Sequence, residues 1–173
     1  MHSYCMYCIV QKCASVVSEL NKMGIGKALM PQIVQRKWVK GKTYEEVHEY
    51  LPGYVFLYTE EPIPDFGPLW QLPSVVRLLG SSDDLYELHG SDRAFARLLY
   101  ETDGTIGILK AVKEGSVVKL DRSLFGDFEG KIVRFDHSRK RAEVEFDFDG
   151  RLHRVWVGVE LITPVPEAET EET

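Results

Sequence analysis

The chain is 173 residues long, 44% hydrophobic and 28% charged, a balance that fits one large or two small globular domains. Its formal net charge of −6 excludes a protein that grips nucleic acid over its whole surface and leaves only local basic patches for that work. No apolar run reaches the roughly 18 to 20 residues that cross a bilayer and no basic-then-apolar leader opens the chain, so a cytoplasmic protein without membrane contact is expected.

Tyr4 to Gln11 is a run of aromatic, sulfur-bearing and β-branched residues that reads as a buried strand. Val16, Val17, Leu20 and Met23 then recur at helical spacing until Gly24 stops the run. Ala28 to Val39 reads as extended, and the Lys40-Gly41-Lys42 turn carries it into a second strand or arm that ends before Pro52. Pro52-Gly53 feeds the strand Tyr54 to Thr59. Pro62, Pro64 and Pro68 break the chain ahead of a short helix at Leu69 to Leu72. Val75 to Leu79 is a further strand ended by Gly80. Ser91 is placed to cap a helix from Asp92 to about Tyr100, with Phe95, Leu98 and Leu99 inward and Asp92 at its positive end. The order β-α-β-β-β-α-β-α predicts an α+β domain over residues 1–103.

Residues 104–113 have linker-like composition at their start, although Ile108 to Val112 can dock on a domain. Beyond them the period changes to that of strands. Ala142, Val144, Phe146 and Phe148 alternate with Glu143, Glu145 and Asp147, and Asp149-Gly150 makes a tight hairpin into Leu152 to Val157. About fifty residues in four or five short strands, 114–162, predict a small SH3-like β-barrel. The remainder, 163–173, adds four glutamates and no base and reads as an acidic disordered tail.

Several of these segments together resemble the NusG family of transcription elongation factors, whose members join an N-terminal NGN domain to a KOW barrel. The family's opening Trp-Tyr-Val-Val-Gln strand is met by Tyr7-Cys8-Ile9-Val10-Gln11. Its Phe-Pro-Gly-Tyr-Val-Phe-Val segment is matched by Leu51-Pro52-Gly53-Tyr54-Val55-Phe56-Leu57, and a looser counterpart of its Val-Thr-Gly-Phe-Val-Gly is Val75 to Gly80. The KOW pattern appears in Gly115 to Leu120 and Phe128 to Val133. The resemblance implies that an apolar face of the first domain docks on the clamp helices of the largest subunit of bacterial RNA polymerase. By position, Leu51, Tyr54, Phe56 and Leu79 belong to that face. Read from the residues alone, one of the sets Tyr54, Phe56, Tyr58 and Val55, Leu57 must be core, and either qualifies.

The chain also departs from the general factors. Lys12-Cys13-Ala14-Ser15 replaces their glycine-rich loop. The hairpin from Phe148 to Val157 differs from the one that contacts termination factor Rho or a ribosomal protein in the general factors, so the resemblance does not carry either partnership over. These departures resemble specialised paralogues of the RfaH and especially the LoaP sort, which make polymerase resistant to termination at selected operons. Such members need a nucleic-acid signal, and two basic clusters are candidates to receive it. Lys131, Arg134, His137, Ser138, Arg139, Lys140 and Arg141 surround the turn between two barrel strands and suit the phosphates of structured nascent RNA. Arg36, Lys37, Lys40 and Lys42 lie on the first-domain hairpin, where polymerase or nontemplate DNA is the expected contact. A solvated, charged hairpin tip is the plain alternative for both.

Cys5-Met6-Tyr7-Cys8, with Cys13 following, has metal-like or redox-like spacing. Residues three apart on a strand face opposite sides, and no second Cys/His pair lies nearby. Three cysteines also leave no disulfide framework to expect. No histidine motif, phosphate loop or acid-base pair stands out, so neither an enzyme nor a cofactor is expected. The expected function is transcription elongation and antitermination by a monomer that binds polymerase and is recruited by nucleic acid. The rival is a stand-alone KOW-type RNA-binding module that does not act on polymerase.

Overall fold

The computed structural model describes residues 1–114, 117–121 and 128–162; the expected tail at 163–173 lies outside them, as does the pair Gly115-Ser116. A central sheet is built from β1 (His2–Cys8), β2 (Lys27–Leu29), β5 (Tyr54–Thr59) and β6 (Val75–Leu78), in the spatial order β2-β5-β1-β6. β1 runs antiparallel to β5 with Cys5 opposite Phe56 and Tyr7 opposite Tyr54. The first strand is shorter than its apolar run. Ile9 N–H bonds to Ser74 O and Lys12 N–H returns to Ile9 O, which takes Val10–Lys12 out of the ladder and into a 3-10 turn.

All six residues of β5 are buried, so the choice between its two side-chain sets does not arise. Val55 and Leu57 join Tyr4, Met6 and Cys8 beneath the helix α1 (Cys13–Met23), which contributes Val16 and Leu20. Gly24, at φ 70°, ends α1 in the left-handed conformation expected of a glycine cap. Tyr54, Phe56 and Tyr58 point the other way, together with Cys5. That opposite face is covered by the helix α3 (Gly90–Glu101) and by the second domain.

Gly67–Trp70 forms the short helix α2. α3 begins one residue before Ser91, because Arg93 N–H already bonds to the carbonyl of His89, whose backbone is extended. Ser91 therefore sits inside the first turn and does not cap it. The extended run from Ala28 splits at Pro31, which has no N–H to give to a ladder. After it come β3 (Gln32–Val39) and β4 (Lys42–Glu49), a two-stranded arm that β7 (Thr105–Ile106) joins in parallel at its base.

The second domain is a curled five-stranded sheet of β8 (Leu109–Glu114), β9 (Val117–Leu120), β10 (Lys131–Asp136), β11 (Arg141–Phe148) and β12 (Arg151–Ile162), in the order β10-β11-β12-β8-β9. β8 lies parallel to β12 and the other pairs are antiparallel, while β9 and β10 approach at the open edge to complete a small SH3-like barrel. The alternation on β11 is realised: Ala142, Val144, Phe146 and Phe148 are buried. Most of the segment expected as a linker is strand. Leu109 and Ala111 are buried on either side of exposed Lys110, a period of two that docks them on β12. Only Gly107 and Ile108 separate β7, pinned to the arm, from β8 in the barrel.

Candidate functional site

The face of β5 that carries Tyr54 and Phe56 is the floor of an aromatic seam between the domains. Phe95 of α3 is central to it. Its ring lies 5.7 Å from Phe56, 5.1 Å from Phe148 and 5.1 Å from Phe146, with the last pair stacked at 17°. Phe148 also reaches Tyr54 at 5.2 Å and Phe56 at 5.5 Å. These spacings are those of favourable offset and edge-to-face ring pairs, worth about 0.5 to 1.5 kcal/mol each beyond the area they bury. The packing is close: the cavity left among Tyr50, Phe95, Phe146 and Val157 measures about 20 Å³.

A polar latch closes one end of the seam. The Asp149-Gly150 turn of the β11–β12 hairpin has φ of 53° and 66°, the left-handed pair that a tight hairpin requires. It drives the Asp149 carboxylate into the first domain. There Tyr54 donates its hydroxyl to Asp149 Oδ2 at 2.9 Å. Arg77 of β6 donates through Nη1 at 3.5 Å to Oδ1 and, more closely, through Nη2 to Oδ2. The carboxylate of Asp92 accepts the backbone N–H of Asp149 at 2.9 Å. Burial, followed by the hydrogen bond to Asp149 and its charge, pushes the Tyr54 phenol up to about 12. Burial also raises Asp92, against the lowering effect of the Asp149 N–H. Arg77 is raised chiefly by its hydrogen bond to Asp149. His153 faces the carbonyl of Phe148 through Nε2 at 3.1 Å, and since a carbonyl only accepts, Nε2 carries the proton.

Three of the four residues assigned to a polymerase face are thus deeply buried: Tyr54 is 6% exposed, Phe56 0% and Leu79 1%. Leu51 is partly buried beside the same cluster. Their partners across the seam, Phe146 and Phe148, and the latch residues Arg77, Asp92 and Asp149 do not stand out as functional in the sequence. The signal that could have found them is the phenylalanine-rich inward face of β11 and the unusual Phe148-Asp149-Gly150 hairpin.

The cysteines divide between the two faces. Cys5 lies in the seam, where Asp149, Asp92 and Arg77 are close enough to influence its thiol. Cys8 and Cys13 lie under α1. Burial raises all three thiols, Cys8 to about 12. Among the described residues no group of three His, Cys, Asp or Glu side chains is placed to hold a metal, and no helix is long and apolar enough to cross a membrane.

The basic residues fall into two settings. Lys131 and Arg134 lie on β10, where Arg134 approaches Glu143 at 3.8 Å and the Trp156 ring at 6.0 Å. His137 packs its ring on Phe135 at 4.5 Å. Lys40 and Lys42 flank the exposed tip of the arm, with Lys40 at φ 49°. Arg36 and Lys37 of the arm and Ser138, Arg139, Lys140 and Arg141 of the barrel turn, about a hundred residues apart in sequence, line one common groove with Trp38, Thr43 and Glu45.

The fold is that of a sheet-and-helix domain whose aromatic face is covered by a small SH3-like barrel. A family model described as "Transcription termination factor nusG" matches residues 1–97, over half of the chain, and the chain belongs to the NusG family of transcription factors. A solved structure described as "Domain interaction in Thermotoga maritima NusG" is similar over 91% of this chain and 93% of that one, with a TM-score of 0.53 and 18% identity. At that identity the likeness speaks for the fold alone. No curated protein matches the sequence.

Proposed function

We propose that the protein is an elongation and antitermination factor of the RfaH or LoaP sort, binding the clamp helices of RNA polymerase through Leu51, Tyr54, Phe56 and Leu79. It carries out no covalent chemistry. By bridging the polymerase cleft it disfavours the opening that accompanies pausing and hairpin-dependent termination. A nucleic-acid signal, structured nascent RNA in the first instance, brings it to selected transcripts.

The observation that supports this most is the seam itself. A flat aromatic surface of this kind is a protein-docking surface, and here another domain of the same chain occupies it. That domain is tied on by a short covalent connection and held down by the ring contacts and a polar latch, which are reversible. Polymerase binding then requires the barrel to leave, so the clamp helices and the barrel are competing ligands for one face. The domain interaction for which the Thermotoga structure is described fits the same arrangement.

The test is single-round transcription across an intrinsic terminator by bacterial RNA polymerase, with and without the full chain. Read-through should increase with the protein present. It should return to baseline with Tyr54→Ala/Phe56→Ala at unchanged circular dichroism. Because those residues are core, Leu51→Asp serves as a second variant at the edge of the face. No change in read-through and no binding to clamp helices, even by a latch-weakened variant, would overturn the proposal in favour of the RNA-binding module.

A further inference from the structure

The two basic clusters are far apart in the sequence, yet the fold joins them. Arg36 and Trp38, which share one face of β3, and Arg139, Lys140 and Arg141 at the β10–β11 turn face one another across a groove of about 850 Å³, with Lys37 at its margin, its ammonium paired with Glu46 at 3.6 Å on the other face of the arm. Five cations and one carboxylate, Glu45, line it, and the Glu45 charge is taken up by Arg36 at 3.3 Å. The barrel wall is built to present charge. Asp136 accepts Ser138 Oγ at 2.7 Å and the Arg139 N–H at 3.0 Å, which fixes the turn, while Arg139 and Lys140 make no ion pair among the described residues. Arg141 sits over the Trp156 ring at 4.4 Å and is paired with Asp136 at 3.4 Å, so Arg139 and Lys140 carry the free charge of this wall. On the arm wall Trp38 is 71% exposed, which leaves the indole face open to a stacking partner.

Phosphate-binding cations alternating with an exposed indole are the recurring elements of a site for unpaired nucleic acid, where the backbone follows the charges and a base stacks on the ring. We propose that this groove binds a single-stranded stretch of nucleic acid across both domains, and that occupancy holds the barrel docked over Tyr54 and Phe56. The inference rests on the reading that nucleic acid recruits the protein, and it adds a sign to that reading. Each wall belongs to a different domain, so the complete groove exists only while the barrel is down. By linkage, nucleic acid in the groove and a partner on the Tyr54 face weaken one another by the same factor. The strand delivers the factor latched, and engagement of polymerase releases the strand.

The probe is a fluorescein-labelled mixed-sequence 12-nucleotide strand, titrated into the full chain at low salt and followed by anisotropy. RNA and DNA versions distinguish transcript from nontemplate strand as the source. Trp38→Ala, Arg36→Ala/Lys37→Ala and Arg139→Ala/Lys140→Ala should each weaken binding by about tenfold, in line with the loss of one stacked base or two phosphate contacts. The charge variants should also flatten the salt dependence. Cys5 supplies the second readout, since it lies in the seam beneath the barrel at 1% exposure. A saturating strand should slow its alkylation, followed by peptide mass spectrometry, severalfold while leaving Cys8 and Cys13 of the α1 face unchanged. If only the barrel-turn variant weakens binding, or if Cys5 alkylation is indifferent to the strand, the composite groove is refuted and recruitment by the barrel tip alone survives. If the unmodified chain binds neither strand, the groove proposal is overturned, and a hairpin RNA titrated in the same way decides separately whether nucleic acid recruits the protein.

Discussion

Asp149→Asn isolates the latch with little disturbance elsewhere. Asparagine tolerates the left-handed φ of 53° at this turn position, and Asn-Gly suits a tight hairpin at least as well as Asp-Gly. The amide oxygen can still accept from Tyr54, but the charge opposite Arg77 is gone. A hydrogen bond between charged groups contributes about 1.5 to 3 kcal/mol net. The Arg77 side chain is 43% exposed and that of Asp149 15%, so solvent screening brings this pair just below that range, to about 1.4 kcal/mol. That is about a tenfold increase in the fraction of chains with the barrel undocked. With the docked form predominant, apparent affinity for a polymerase clamp-helix fragment rises by the same factor, because affinity scales with the competent fraction. Calorimetric titration of the full chain reads the affinity, and Cys5 alkylation reads undocking directly. If alkylation accelerates tenfold while the affinity stays put, the covered face is not the polymerase face. If neither moves, Asp149 does not hold the barrel.

Phe95→Ala removes the ring shared by the sheet and both barrel phenylalanines, and should cost about 3 to 5 kcal/mol; urea melts that lose less than about 1 kcal/mol would contradict its central place. Gly53→Ala places a Cβ 2.6 Å from Tyr7 Cε2 at a residue whose φ is 96°. A loss of about 2 to 3 kcal/mol is expected from strain and overlap together, measured by the same melts. Asp92 has its carboxyl raised in the folded chain, so the folded state holds more proton than the unfolded one between the ordinary aspartate value and the raised one. Its contribution is fully present below the ordinary value and is lost as pH rises through the folded value. Thermal midpoints followed over that acidic range should therefore show a smaller fall with rising pH in Asp92→Asn than in the parent. Equal slopes would remove Asp92 from the account.

Much of the fold could be read from period and punctuation, and the failures have local causes. Gly24 and Gly41 end their elements where a glycine's backbone freedom is needed, and the β11 alternation predicted its own inward face. Ser91 failed as a cap because the hydrogen bonding of α3 starts at His89, two residues earlier, which no side-chain preference announces. Residues 104–113 concealed a strand because Gly104 and Gly107 dominate the composition while Leu109 and Ala111 carry the shorter pattern. The candidate site was legible as residues but not as an arrangement. β5 is aromatic in either reading, and the burial of its Tyr54 and Phe56 side depends on Phe95 and on Phe146 and Phe148, the last two some ninety residues away. The common groove of Arg36 and Arg139 likewise depends on the placement of one domain against the other, which local sequence does not encode.

The two-residue connection of Gly107 and Ile108 sets how the molecule behaves between rounds of work. Fully extended, it spans about 7 Å, so a barrel swung off the sheet stays within a domain's width of the surface it left. Tethering at so short a range gives the barrel an effective concentration of millimolar or more at that surface. In the proposed cycle a departing polymerase would be replaced on Tyr54 and Phe56 by the barrel itself, without a second protein and without an energy source. A factor working in the proposed way would reset itself, over a distance that the tether fixes.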